Sequence, residues 1–190
     1  MMSAVAKALK LIKDEEVEYL DIRFTDPKGK LQHVTLNSDL VDEDWFEEGF
    51  MFDGSSIAGW KSIDQSDMKL MPDASSVYMD PFYAEKTLCV HCDVVEPDTN
   101  EAYDRCPRQI AKKAEAFMKS SGIGETAYFG PEAEFFIFDD VRYSVSPRKV
   151  SYEIDAEAAS WNTDTVFEGG NSGHRAAHKG GYFPVNPIDE

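Results

Sequence analysis

Two glutamates, Glu132 and Glu134, stand two residues apart inside the apolar segment 129–138. In a β-strand, residues at this spacing point to the same face of the sheet, about 6.5–7 Å apart. Two ionised carboxylates on a half-buried face repel each other and lose hydration, and a bound cation offsets both effects. Hard divalent ions such as Mg²⁺ and Mn²⁺ bind through carboxylate oxygens. The spacing therefore predicts a strand that carries a metal site, and the alternative is a solvent-facing pair on an exposed antiparallel sheet.

Two glycine-containing segments could also contact a ligand. The first is the loop 50–60, which includes Asp53-Gly54-Ser55-Ser56 and allows close backbone approach. The second is the region 168–181, where five glycines surround four basic residues: His174, Arg175, His178 and Lys179. That combination suits an anionic substrate held by backbone amides and positive charge, and a flexible surface loop is the alternative. The region lacks the GxxxxGK[ST] order, which disfavours a P-loop nucleotide fold.

Composition narrows the class of protein. The chain has 190 residues with 19 basic and 36 acidic side chains, a net charge of −17, which argues against nucleic acid or an anionic membrane as a partner. It has no apolar run of membrane-spanning length and no secretory signal pattern, so we expect a cytoplasmic protein. The three cysteines indicate free thiols. Cys89 and Cys92 form a CxxC within a predicted strand, which places them on opposite faces and disfavours a zinc site.

Periodicity and turn residues predict an α+β protein in two domains, residues 1–103 and 104–190. Helices are predicted over 4–13 and 42–48, the second ended by Gly49, and from Pro107 to Gly122. Strands are predicted on both sides of the turn 26–29 and over 67–71, 77–80 and 87–95. The turn-rich segment 96–100 precedes the boundary near residue 103. With few elements to cover its sheet, the second domain is expected to be truncated.

Several segments taken in order carry a family resemblance. They are Gln32–Thr35, Met51–Ser56, Leu70–Asp73, Asp80–Phe82, Glu168–Arg175 and Lys179–Pro184, together with the Glu132/Glu134 segment. With them the chain resembles the first part of a glutamine synthetase of the bacterial type I family. The resemblance implies an N-terminal β-grasp domain followed by the start of a catalytic α+β domain. It also implies an ATP-dependent ligase that joins ammonia to the γ-carboxylate of glutamate through γ-glutamyl phosphate, in a dodecamer of two stacked hexameric rings with shared active sites.

The resemblance assigns roles to five residues. Glu134 matches a ligand of the Mg²⁺ or Mn²⁺ ion that holds glutamate, and Glu132 matches a ligand of the ion that bridges the ATP phosphates. Asp53 matches the aspartate that enters the neighbouring subunit's site, binds ammonium and helps to remove its proton. Ser56 and Tyr182 match residues that line the ammonium pocket.

Other site residues of the family lie beyond Glu190, so the 190-residue chain alone is predicted to be inactive. One alternative is a ligase of the same family that uses a larger amine, although the intact Asp53 loop favours ammonium. Another is a non-catalytic β-grasp module for binding or assembly, against which the retained glutamate pair argues.

Overall fold

The computed structural model describes residues 2–162 and 164–170, and it divides into two units, Met1–Tyr128 and Phe129–Glu190. Each unit is described here by itself. Tyr182 and the four basic residues of the predicted anion-binding region lie outside the described residues. None of the described helices is long and apolar enough to cross a bilayer.

The first unit combines helices with a mixed sheet, which confirms the predicted α+β class. Its helices are α1 (Ala4–Asp14), α2 (Glu43–Glu48) and α3 (Pro107–Ser120). Its strands are β1 (Tyr19–Thr25), β2 (Leu31–Asn37), β3 (Phe50–Asp53), β4 (Asp67–Pro72), β5 (Tyr78–Met79) and β6 (Thr87–Val95). The sequence predicted each element except β3, which it assigned to a loop.

Strand β6 lies at the centre of the sheet, whose order is β2-β1-β6-β4-β3. Its first half pairs parallel with β1, from Tyr19 opposite Thr87 onward, while its second half pairs antiparallel with β4. The short strand β5 pairs antiparallel with the first half of β6. Because it pairs on both sides, β6 is buried along most of its length and reads as a nearly continuous apolar run.

The turn residues explain why the chain reverses where the sequence predicts. Asp26 Oδ1 accepts hydrogen bonds from the backbone N–H groups of Lys28 and Lys30, each at 2.9 Å, which closes the β1–β2 hairpin. Asp42 caps α2 by accepting from Trp45 N at 2.8 Å. Gly49 ends that helix with φ of 78°, and a Cβ there would lie 2.6 Å from the Leu70 carbonyl oxygen.

The two faces of β1 have different roles. Leu20, Ile22 and Phe24 point into the hydrophobic core, which they share with apolar side chains from α1, β4 and β6. Alternation places Asp21 and Arg23 on the opposite face, where Arg23 donates to Asp21 Oδ2 at 2.7 Å and to Asp80 Oδ2 at 2.8 Å.

Asp21 is the buried centre of this polar network, with a side chain only 1% exposed. Its Oδ1 accepts from Thr35 Oγ1 at 3.0 Å and lies 2.6 Å from His33 Nδ1. Burial alone would raise the pKa of Asp21, but the hydrogen bonds from His33, Arg23 and Thr35 outweigh it and hold the pKa below its usual value. His33 is therefore a partner of a buried carboxylate.

The described part of the second unit contains one hairpin, formed by β7 (Asp140–Ser146) and β8 (Lys149–Asp155). The sequence did not predict it. The strand predicted around Glu132 and Glu134 is wrong, because residues 129–138 have no regular secondary structure. Phe135 and Ile137, which in a strand would face away from the two glutamates, are both 80% exposed. A strand requires a hydrogen-bonded neighbour, and within 2–162 and 164–170 none pairs with this segment.

Candidate functional site

Asp53 ends β3 and begins a one-turn 3-10 helix, Gly54–Ser56. Strand β3 pairs antiparallel with β4, and Asp53 stands opposite Asp67 in that register. Both aspartates are exposed. Two carboxylates therefore lie at the same end of the sheet, where they favour the approach of a cation.

Hydrogen bonds from the two serines of the turn orient the Asp53 carboxylate. The donors are Ser55 and Ser56: Oδ1 of Asp53 accepts from the backbone N–H of Ser55 at 2.8 Å and from the Ser55 hydroxyl at 2.6 Å. Ser56 Oγ lies 3.4 Å from Oδ2, a long contact. The hydroxyl and N–H of Ser55 are the main cause of a lowered pKa at Asp53, Ser56 adds to them, and burial acts in the opposite direction. Asp53 is therefore an anion at neutral pH.

Gly54 fixes how closely this turn packs on the sheet. Its N–H donates to the Ser66 carbonyl oxygen at 2.7 Å. Gly54 is buried, whereas Asp53 before it is exposed and Ser55 after it is partly exposed. A Cβ at this position would lie 2.3 Å from Sδ of Met68, a side chain with no exposed surface. The close approach therefore excludes any larger residue without movement in the core.

Replacing Gly54 by alanine is expected to lower the free energy of unfolding by about 1–3 kcal/mol, the usual effect of overpacking. Gly124→Ala is the matched control, because among the described residues its Cβ would meet Met118 Sδ at 3.8 Å and Cγ at 4.0 Å, both ordinary contacts. Urea denaturation of both variants measures the difference. Equal stability of Gly54→Ala and Gly124→Ala would contradict the packing argument.

Glu132 and Glu134 are both exposed in the second unit. Within the described ranges, no three His, Cys, Asp or Glu side chains form a potential metal-binding group. Two carboxylates could supply some of the ligands of a hard divalent ion, because such an ion also binds water and other oxygen ligands. The metal role of this pair stays a prediction, and so does the role of Ser56. The predicted site residue Tyr182 lies outside the described part of the chain.

Cys89 and Cys92 lie on opposite faces of β6, as their spacing predicts. Cys92 belongs to the hydrophobic core, whereas Cys89 Sγ lies 3.6 Å from Asp80 Oδ2. Burial raises the pKa of the Cys89 thiol to about 11, so it is protonated at neutral pH.

Ser55 is the contact that sequence reasoning missed, because the loop was considered for its aspartate and its glycine. An aspartate that begins a short helix, followed two residues later by serine, is the available signal: such carboxylates accept from the N–H two residues on.

Comparison with known proteins identifies the family. A model described as the β-grasp domain of glutamine synthetase matches residues 16–97, and one described as its catalytic domain matches residues 104–190. The chain belongs to the glutamine synthetase family. The predicted fold, a β-grasp domain followed by the start of a glutamine synthetase catalytic domain, is thereby confirmed.

Relatives named glutamine synthetase match along the whole chain. Those of Cereibacter sphaeroides and Rhodobacter capsulatus are each 80% identical over 189 residues, which is 100% of this chain and 40% and 43% of theirs. That of Bradyrhizobium diazoefficiens is 58% identical over 188 residues, 99% of this chain and 40% of the relative. The chain thus spans about two fifths of the length of these glutamine synthetases.

A solved structure shares the fold. A glutamine synthetase of Plasmodium falciparum, determined by cryo-electron microscopy, matches with a TM-score of 0.68 at 24% identity, over 99% of this chain and 37% of that one. The family matches leave a gap between residues 97 and 104, whereas the compact units divide after Tyr128. The boundary near residue 103 stays a prediction.

Proposed function

We propose that this chain is part of an enzyme that ligates ammonia to the γ-carboxylate of glutamate, with ATP forming γ-glutamyl phosphate and ADP. The observation that carries the proposal is membership of the glutamine synthetase family along residues 16–97 and 104–190. The 80% identity to two proteins of that name supports the same activity.

Asp53 is proposed to bind ammonium and to accept its proton. Its exposed carboxylate is held anionic by Ser55, and Asp67 adds a second negative charge at the same end of the sheet. An anion attracts ammonium, and removal of one proton exposes the nitrogen lone pair that attacks the acyl phosphate carbon. The carbon–oxygen bond to phosphate then breaks, and the phosphate leaves with a second proton from nitrogen as HPO₄²⁻, which gives the amide of glutamine. Ser56 and Tyr182 are proposed to line the same pocket.

Glutamine synthetases generally use ATP and divalent metal ions. Glu134 and Glu132 are proposed to hold two such ions, Mg²⁺ or Mn²⁺, the first at the glutamate side and the second at the ATP phosphates. When bound, these ions would offset negative charge during phosphoryl transfer. Both glutamates are exposed, so their carboxylates are open to solvent-borne ligands.

The proposed assembly is a dodecamer of two stacked hexameric rings, in which Asp53 of one subunit completes the site of its neighbour. The exposure of Asp53 at the end of β3 is compatible with a role outside its own subunit. We propose a cytoplasmic location, which rests on membership of this enzyme family.

The test is an assay of the natural protein for phosphate release that requires glutamate, ATP and ammonium together. The intact mass of that protein is measured first, and a mass well above 21.4 kDa is expected, since the relatives are more than twice as long as the aligned region. Replacing ammonium by alkyl amines and polyamines separates the ammonia ligase from a ligase for larger amines. Phosphate release that needs no amine, or a stronger response to polyamine, would overturn the proposal.

Replacing Glu132 or Glu134 by glutamine in the natural protein is expected to weaken Mn²⁺ binding by about tenfold or more, because a neutral amide is a poor ligand for a hard ion. Glu125→Gln, which neutralises another exposed glutamate upstream, is the control. Calorimetric Mn²⁺ titration measures the change. Unchanged affinity in both variants would contradict the metal assignment.

A further inference from the structure

The Asp53 turn has a structural counterpart in the same unit. Asp73-Ala74-Ser75-Ser76 repeats the pattern Asp-x-Ser-Ser twenty residues further on, and it also begins a one-turn 3-10 helix, Ala74–Ser76. The backbone of Asp73 has φ −92° and ψ 96°, against φ −82° and ψ 101° at Asp53. The two aspartates therefore direct their carboxylates from the same local geometry.

The hydrogen bonds to Oδ1 are also the same in both turns. Asp73 Oδ1 accepts from Ser75 N at 3.0 Å and from the Ser75 hydroxyl at 2.5 Å, as Asp53 Oδ1 accepts from Ser55. In each turn one serine thus donates twice to one carboxylate oxygen. Because Oδ1 is held by two hydrogen bonds, the carboxylate cannot rotate freely, and Oδ2 is the oxygen that Ser55 or Ser75 leaves open.

The turns differ in what meets Oδ2. At Asp73, Oδ2 accepts from the guanidinium of Arg108, and its side chain is 27% exposed. At Asp53, Oδ2 has a long contact of 3.4 Å with the Ser56 hydroxyl, and within the described residues no lysine or arginine forms a salt bridge with this carboxylate. In the Asp73 turn, Oδ2 is thus the oxygen that pairs with a cationic group.

We infer that Ser55 is a positioning residue for the ammonium site: it fixes Asp53 Oδ1 so that Oδ2 is the oxygen that receives the ammonium ion and its proton. This inference rests on the proposed function. The hydroxyl of Ser55 does not touch the ammonium, and its effect passes through the orientation of the carboxylate. Alanine at position 55 retains the backbone N–H bond and loses the hydroxyl bond, whereas threonine can retain both.

The test compares Ser55→Ala, Ser55→Thr and Ser75→Ala in the natural full-length protein. Ser55→Ala is expected to raise KM for ammonium about three- to tenfold, the scale of one ordinary hydrogen bond, because the lost bond acts on ammonium only through the carboxylate; KM for glutamate is expected to change less than twofold. Ser55→Thr is expected to restore the wild-type value. Ser75→Ala removes the equivalent bond from Asp73 and is expected to leave KM for ammonium unchanged. Thermal unfolding of all three variants reports folding.

Three results would overturn the inference: an unchanged KM for ammonium in Ser55→Ala, an equal rise in both KM values, or an equal effect of Ser75→Ala. All three results are comparisons of KM values, so they require a wild-type protein that forms glutamine from ammonium. A folded wild-type protein without ammonium-dependent turnover would instead overturn the proposed function, and the inference would fall with it.

Discussion

Replacing Asp53 by asparagine is expected to lower ammonium-dependent glutamine formation by about 10²–10⁴-fold, the range that a positioned general base contributes. Asparagine has nearly the same shape, and its amide oxygen can still accept from Ser55. It has no negative charge to attract ammonium and no basic oxygen to take a proton. The loss therefore isolates the chemistry of the carboxylate from the packing of the turn.

Two comparisons sharpen this prediction. Asp67→Asn removes one negative charge from the residue opposite Asp53, and a comparable loss in that variant would indicate a general field effect. Hydroxylamine, which is largely uncharged at neutral pH, needs neither the electrostatic attraction nor the proton transfer. Asp53→Asn is therefore expected to retain much more activity with hydroxylamine than with ammonium. Full ammonium-dependent turnover in Asp53→Asn would refute the role.

Replacing Asp21 by asparagine is expected to lower the free energy of unfolding by about 3 kcal/mol or more, the effect of removing one partner from a buried ion pair. The variant leaves Arg23 mostly buried with only Asp80 to balance it, since the Arg23 side chain is 14% exposed. It also places an amide where donors from Arg23 and Thr35 converge. Asp14→Asn is the control, because Asp14 pairs with Lys10 on the exposed face of α1 and such pairs contribute only about 0.3–0.5 kcal/mol.

The same variant predicts a pH dependence. Since folding lowers the pKa of Asp21, its contribution to stability is fully present above the unfolded value of about 3.9 and is lost as the pH falls through the lower folded value. The stability gap between wild type and Asp21→Asn is therefore expected to be constant from pH 7 to 5 and to narrow below about pH 4. Urea unfolding at stepped pH measures it, and a gap that stays constant down to pH 3 would contradict the assignment.

Local signals in the sequence predicted most of the first unit. The turn at Asp26, the stop at Gly49 and the apolar run of β6 act through neighbouring residues, and the structure contains all three. Strand β3 was missed because it depends on pairing with β4, a partner that the local pattern does not reveal. The network of Asp21, Arg23 and Asp80 was missed for the same reason, since it joins residues 57 positions apart.

The second unit illustrates the opposite error. Phe135, Phe136 and Ile137 have high β propensity, and the alternation with Glu132 and Glu134 led to a predicted strand. Propensity describes how a side chain fits a sheet that already exists, and the described residues supply no neighbouring strand. Asp53 was identified as a candidate through the family resemblance. Its orientation by Ser55 became visible only in the hydrogen bonds of the folded turn.

Because β6 lies at the centre of the sheet, it determines the order in which the strands of the first unit can pair during synthesis. The β1–β2 hairpin closes over the five residues 26–30, but the parallel neighbour of β1 begins at Thr87, so one edge of β1 stays unpaired until that strand has left the ribosome. Strands β3 and β4 reach the sheet through β6 as well. The carboxylate of Asp53, made early in translation, therefore acquires its fixed place only when a strand more than thirty residues later has docked.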